Sequence, residues 1–324
     1  MLRTPLCELL GIEVPVIQGP LGGPWEQSMD LPAAVCGAGG LGSVPTSLRS
    51  AERVRRDMAR LRELTDRPFA VNHTRRPFDE EVFAASLEQP PAVVSLALGE
   101  PGDLVKRAHD AGALFLHQVT TVEQARRAAD AGADVISAQG MESGGFSGSV
   151  SALALVPQVV DAVRPIPVVA SGGIADGRGL AAALALGAQG INIGTRFLAS
   201  AECGIPEEWK RAIVRSRSED AVKLEFADLV LPAPSDGGYP TVPRSLRTPF
   251  VDRWNPHRAE AERDAARLRQ EVLSAMSEGR AHQLIPLTGQ TAGMITEVLP
   301  AAEIVRQIVA DAEAALRSLQ PLLG

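Results

Sequence analysis

Cysteine is scarce in this 324-residue chain: Cys7, Cys36 and Cys203 lie far apart and form no Cys-x-x-Cys pair. So sparse and odd a set fits a reducing compartment and supplies no metal-ligand spacing. Buried small hydrophobes are the expected role, ahead of a catalytic thiol. Positive charge is not in excess either. Lys and Arg number 32 against 39 Asp and Glu, for a formal charge of −7, which argues against broad nucleic-acid binding. Arg53, Arg55, Arg56 and Arg60 cluster, but at the spacing of a helix's wet face. No apolar stretch is long enough to span a bilayer, and Met1-Leu2-Arg3-Thr4-Pro5 lacks the apolar run of a signal peptide. A cytoplasmic protein with no membrane partner is therefore expected. Low-complexity linkers are missing too, so residues 1–324 are expected to form one domain.

What is present is the material of a substantial core: 45% hydrophobic residues against 22% charged. Short apolar or β-branched runs recur at Val14–Gln18, Leu41–Val44, Phe69–Asn72, Ala92–Leu98, Ala113–Val119, Asp134–Gln139, Pro167–Ala170 and Gly190–Gly194. Segments of helical periodicity, such as Val122–Ala131 and Gly179–Leu186, lie between them. Continuous apolar runs alternating with helices predict parallel strands covered on both faces. Gly112, Gly132 and Gly187 each stand between a helix and the next strand, where a left-handed helix end favours glycine. Eight such units predict an α/β fold, a (β/α)₈ TIM barrel, with a doubly wound sheet as the alternative.

Beyond the eighth unit the pattern changes. Leu231–Thr248 is rich in Pro, Gly and Ser and reads as an extended loop, part of a lid around residues 222–250. Pro256–Gly279 and Pro300–Leu319 read as C-terminal helices packed on the barrel, with Ile304, Ile308, Ala312, Ala315 and Leu319 along one face. Contact within a homo-oligomer is the alternative use of that face.

A barrel of this kind carries its site at the carboxyl ends of its strands. The seventh strand runs into Ser171-Gly172-Gly173 and the eighth into Gly194-Thr195, glycine turns at the usual phosphate position. The loop after the sixth strand, Gly140–Gly148, has four glycines in nine residues. Glu142 within it is either a base or a helix cap. Asn72 and His73 follow the third strand, and His117 and Gln118 end the fifth. His109, His257 and His282 fall in expected helices and carry no signal.

Several segments together resemble the nitronate monooxygenase family and its relatives, the flavin-type enoyl-ACP reductases. They are Pro15–Gly23, Ala70–Asn72, Ala138–Gly145, Ala170–Ile174, Gly194–Phe197 and Gly289–Gly293. The resemblance implies an FMN barrel. Asn72 and the loop Gly19-Pro20-Leu21 would meet the isoalloxazine ring. Gly145, Ser171, Gly172, Gly173, Gly194 and Thr195 would form the phosphate cradle or the ribityl wall. Gln139 joins the cofactor-binding set, and Gln290 would approach from the C-terminal segment.

One position departs from the pattern. Where the family typically reads Gly-Gly-His, with the histidine treated as catalytic, this chain has Phe146. Phenylalanine neither moves a proton nor donates a hydrogen bond. His73 and His117 are then the candidates for proton handling. The first expectation is an FMN enzyme oxidising a small nitronate with O₂, since a nitronate is already deprotonated. The alternatives are an NAD(P)H-dependent reductase of an activated double bond, and a flavin-binding protein that has lost redox activity.

Overall fold

The computed structural model describes residues 2–23 and 28–323. Its first nine strands are β1 Val16–Gln18, β2 Gly42–Pro45, β3 Phe69–Thr74, β4 Val93–Ala97, β5 Leu114–Val119, β6 Val135–Gln139, β7 Gly145–Ser147, β8 Val168–Ser171 and β9 Gly190–Ile193. All of these except β7 join one 8-stranded sheet in the order β1-β9-β8-β6-β5-β4-β3-β2. The two ends of that order also meet. Ile17 bridges Leu41 in parallel, the Gln18 amide donates to the Leu41 carbonyl at 2.9 Å, and the Leu41 amide donates to the Val16 carbonyl at 3.0 Å. The chain is a (β/α)₈ barrel.

Its strands are buried along nearly their whole length, as expected of parallel strands lying between a packed interior and covering helices. Ile17, Leu41, Ala70, Val93, Leu116, Val135 and Val169 form an inner layer with Leu6 and Leu10 of the helix Pro5–Leu10. Gly190 completes the layer, because a Cβ there would lie 2.7 Å from Leu6 Cδ2. This helix therefore plugs the end of the barrel opposite the strand carboxyl termini. Gly112, Gly132 and Gly187 have φ of +87°, +92° and +90°, the left-handed helix ends that their spacing predicted. Cys7, Cys36 and Cys203 are all buried. Burial pushes the Cys36 thiol up to about 11, which keeps it protonated and unreactive.

The segment after the barrel needs correction. Within the expected loop Leu231–Thr248, Val242–Leu246 is a strand, β11, paired antiparallel with β10 (Ala221–Lys223) on one side and β7 on the other. This 3-stranded sheet joins the region after the barrel to the glycine-rich loop. Lys223 reinforces the join: its ammonium donates to the carbonyls of Ser147 and Gly148 at 3.0 and 3.2 Å.

The expected helix Pro256–Gly279 is two helices, Arg258–Arg263 and Ala265–Ser277, divided at Asp264. Residues from these helices, including Leu268 and Val272, pack with Phe226, Phe250 and Trp254 in a core of their own. The last long helix, Ala301–Leu319, buries Ile304, Ile308 and Ala312, but Leu319 is 51% exposed, so the apolar face ends before the helix does. Among the described residues, no helix is long and apolar enough to cross a membrane.

Candidate active site

A cavity of about 470 Å³ opens at the carboxyl ends of the barrel strands. Gly19, Pro20, Leu21, Asn72, Gln139, Gly145, Ser171, Gly172, Gly173, Gly194 and Thr195 all line it. Gln290 does not, although its neighbours Gly289 and Thr291 do. What Gln290 contributes is a backbone bond, its amide donating to the Glu142 carbonyl at 2.9 Å.

Side-chain alternation sends one polar group from each of several strands into the barrel mouth. Asn72 donates from Nδ2 to Ser95 Oγ at 2.9 Å. Gln139 Oε1, Ser143 Oγ and Asn192 Oδ1 are buried on the cavity wall with no hydrogen-bond partner in the protein. Leaving such an atom unsatisfied costs about 1–3 kcal/mol. Three on one wall make a surface suited to a planar heterocycle rich in donors and acceptors. Gly172 and Gly173, with φ of +89° and +73°, bend the chain after β8 in a conformation that favours glycine. A Cβ on Gly194 would meet nothing closer than Leu21 Cδ2 at 3.5 Å. The polar atoms and the glycine turns together fit a flavin mononucleotide.

The C-terminal segment closes one side of the cavity. Gly289 donates its amide to Thr195 Oγ1 at 3.0 Å, tying this segment to the loop after β9. Glu142 is a cap: its carboxylate oxygens both accept from the Ala152 amide at 3.1 Å, at the start of the helix Ala152–Val163. Asp79 does likewise, accepting from the Val82 amide at 3.0 Å.

His73 lines the cavity and His117 does not. His73 is 2% exposed, its Nδ1 lying 3.2 Å from Thr46 Oγ1 and its Nε2 3.0 Å from Ser86 Oγ. His117 is fully buried, does not line the cavity, and pairs through Nε2 with Tyr239 Oη at 2.9 Å. Burial lowers each from the ordinary 6.5 to about 3. Both imidazoles are neutral, with three of their four ring nitrogens held by other side chains. Phe146 lines the cavity from β7, where it pairs with Pro243.

Three features escape inspection of the sequence. His282, set aside above as a helical residue, lines the cavity and stacks on Trp209, with planes 10° apart and centroids 6.5 Å apart. Leu231, Val272, Met276, Ile285 and Leu287 give the cavity an apolar side. Leu48 and Leu98, which among the described residues are the ones other than glycine with positive φ, at 62° and 69°, both line it as well. Backbone strain of this sort concentrates at functional sites.

Comparison with known proteins agrees with this geometry. The nitronate monooxygenase family profile matches residues 3–81 and 73–311. FabK from Thermotoga maritima is 34% identical, with a TM-score of 0.89 over 99% of this chain and 100% of that one. A nitroalkane oxidase from Streptomyces ansochromogenes is 30% identical, with a TM-score of 0.82 over 97% and 99% of the two chains. A (3aS,4S,5R,7aS)-5-hydroxy-7a-methyl-1-oxo-octahydro-1H-indene-4-carboxyl-CoA dehydrogenase of Mycobacterium tuberculosis is 31% identical, over 99% of both chains. The chain belongs to the nitronate monooxygenase family of flavin-dependent oxidoreductases.

Proposed function

We propose that the cavity binds FMN and that the enzyme reduces an activated carbon–carbon double bond in an acyl thioester, with NAD(P)H as reductant. The observation that carries this reading is the pairing of a polar wall with an apolar side formed by Leu231, Val272, Met276, Ile285 and Leu287. The polar wall suits the cofactor. The apolar side suits a hydrocarbon acyl group, which gains roughly 0.8 kcal/mol for each CH₂ it buries. The dehydrogenase of Mycobacterium tuberculosis is by its name an enzyme of a CoA thioester, and its similarity spans the whole chain.

Bound FMN supplies two-electron hydride chemistry. The chain's part is to bind, orient and exclude water. Asn72, Gln139 and Asn192 would hold the flavin ring through their side-chain amides, and the Ser171–Gly173 and Gly194-Thr195 turns would hold the phosphate through backbone amides. Asp79 and Glu142 are committed to helix starts and His73 to its own hydrogen bonds. Phe146 itself neither takes nor gives a proton. Overall, enoyl thioester, NAD(P)H and one proton give saturated thioester and NAD(P)⁺, the proton coming from water.

A second reading is oxidation of a preformed nitronate by O₂. The family profile favours it, and a nitronate needs no base. Steady-state assays separate the two. NADPH consumed only when crotonyl-CoA is present supports the thioester reading. Oxygen consumed with ethylnitronate alone, and no NADPH consumed with crotonyl-CoA, replaces it with the second.

A further inference from the structure

The guanidinium carbon of Arg76 lies 4.4 Å from the centroid of the Phe146 ring. Both residues line the cavity. Arg76 comes two residues after β3, the strand that carries Asn72. Its Nη1 donates to the Pro232 carbonyl at 2.8 Å, which anchors one arm of the fork. Its Nε is buried and has no hydrogen-bond partner in the protein. Among the described residues no carboxylate pairs with it, whereas the nearby Arg49 is paired with Asp57.

A partly buried cation without a counter-anion is costly, and it is retained where something else supplies the negative charge. We infer that Arg76, held over the Phe146 ring, is a substrate-binding residue that takes a planar, negatively charged oxygen group of the substrate. The inference rests on the cavity being the active site and deepens the thioester reading, in which charge gathers on the thioester oxygen. A nitronate would present the same chemistry.

The pairing also gives Phe146 a use. At the position where the family's histidine would stand, the ring is a platform for a cation, through attraction between its face and the guanidinium. Arginine stays charged at every pH at which the fold survives, so the site offers a fixed charge in place of a proton that comes and goes. The planar fork is also the geometry that matches two oxygens on one carbon or nitrogen.

Calorimetric titration of the protein as purified, with butanoate and with its neutral analogue butanamide, tests this. The parent is expected to prefer butanoate. Arg76→Met keeps a stem of similar length over the ring, and it should weaken butanoate binding about tenfold or more while leaving butanamide binding and flavin content unchanged. Arg76→Lys should recover part of the loss, because it restores charge without the fork. Equal butanoate affinity in the parent and Arg76→Met, or no preference for butanoate in the parent, overturns the inference. If crotonyl-CoA is never reduced but Arg76→Met still loses butanoate, the thioester reading falls and the anion site stands.

Discussion

Gly144 and Gly289 face each other backbone to backbone. A Cβ on Gly144 would lie 2.5 Å from the Gly289 amide nitrogen, and one on Gly289 would lie 2.7 Å from the Gly144 nitrogen. Their contact seats the C-terminal segment against the glycine-rich loop, and neither side has a flexible side chain that could yield. Gly289→Ala should therefore cost about 1–3 kcal/mol, as overpacking does, and should also loosen flavin retention. Chemical denaturation together with flavin content checks both effects. A variant as stable and as yellow as the parent would show that the two loops are free to part.

The proposed phosphate cradle separates into a structural and a spatial half. Gly172 has φ +89°, and a Cβ there would come within 2.7 Å of Ser143 Oγ and 2.8 Å of the Gly140 carbonyl. Gly172→Val should thus lower stability as well as FMN affinity. Gly194 has φ −110° and open space beside it. Gly194→Val should lose FMN, because the new side chain occupies cavity space, while melting at the temperature of the flavin-free parent. Retention of FMN by Gly194→Val would move the phosphate away from this turn.

The buried histidines make the fold sensitive to acid. Unfolded, each titrates near 6.5; folded, each is lowered to about 3. Between those values the unfolded chain binds more protons than the folded one, so stability falls as pH drops from about 6.5 toward 3 and is fully present above that window. His117→Gln, which keeps a hydrogen-bonding partner for Tyr239, should show a shallower acid slope in urea midpoints. It should also turn over normally above pH 7. Loss of turnover with flavin still bound would return His117 to the chemistry.

Phe146→His places an imidazole on the cavity wall where the family has its histidine. General-base help is worth about 10²–10⁴-fold, so activity on neutral nitroethane should rise toward the lower end of that range, with a smaller change on preformed ethylnitronate. Equal effects on both substrates would mean that the imidazole acts by shape and not by taking a proton.

The barrel was legible because its signals are local. Each strand is a short apolar run, and Gly112, Gly132 and Gly187 mark helix ends by a conformation that only nearby residues determine. Strand limits shifted slightly: Val14 lies before β1, its amide bonded to the Gly39 carbonyl and not to a neighbouring strand. The cavity lining was legible for the same reason, since its glycines and polar residues sit at strand ends. Contacts between distant segments were not. β11 was hidden by Pro243, which disguises a strand whose partner, β7, lies inside a glycine-rich loop. His117 and Tyr239 are 122 residues apart, so neither betrays that the other satisfies it. Arg76 and Phe146, or Trp209 and His282, are likewise unremarkable until the fold brings them together.

The central claim is an FMN site serving hydride transfer to a thioester, and anaerobic spectroscopy of the purified protein tests it most directly. The account predicts a yellow protein whose flavin, released by acid, is FMN. Its absorbance bands should bleach when NADPH is added without air and return when crotonyl-CoA follows. A colourless protein that takes up no FMN would contradict the site itself, and bands that NADPH leaves unchanged would contradict the reductase.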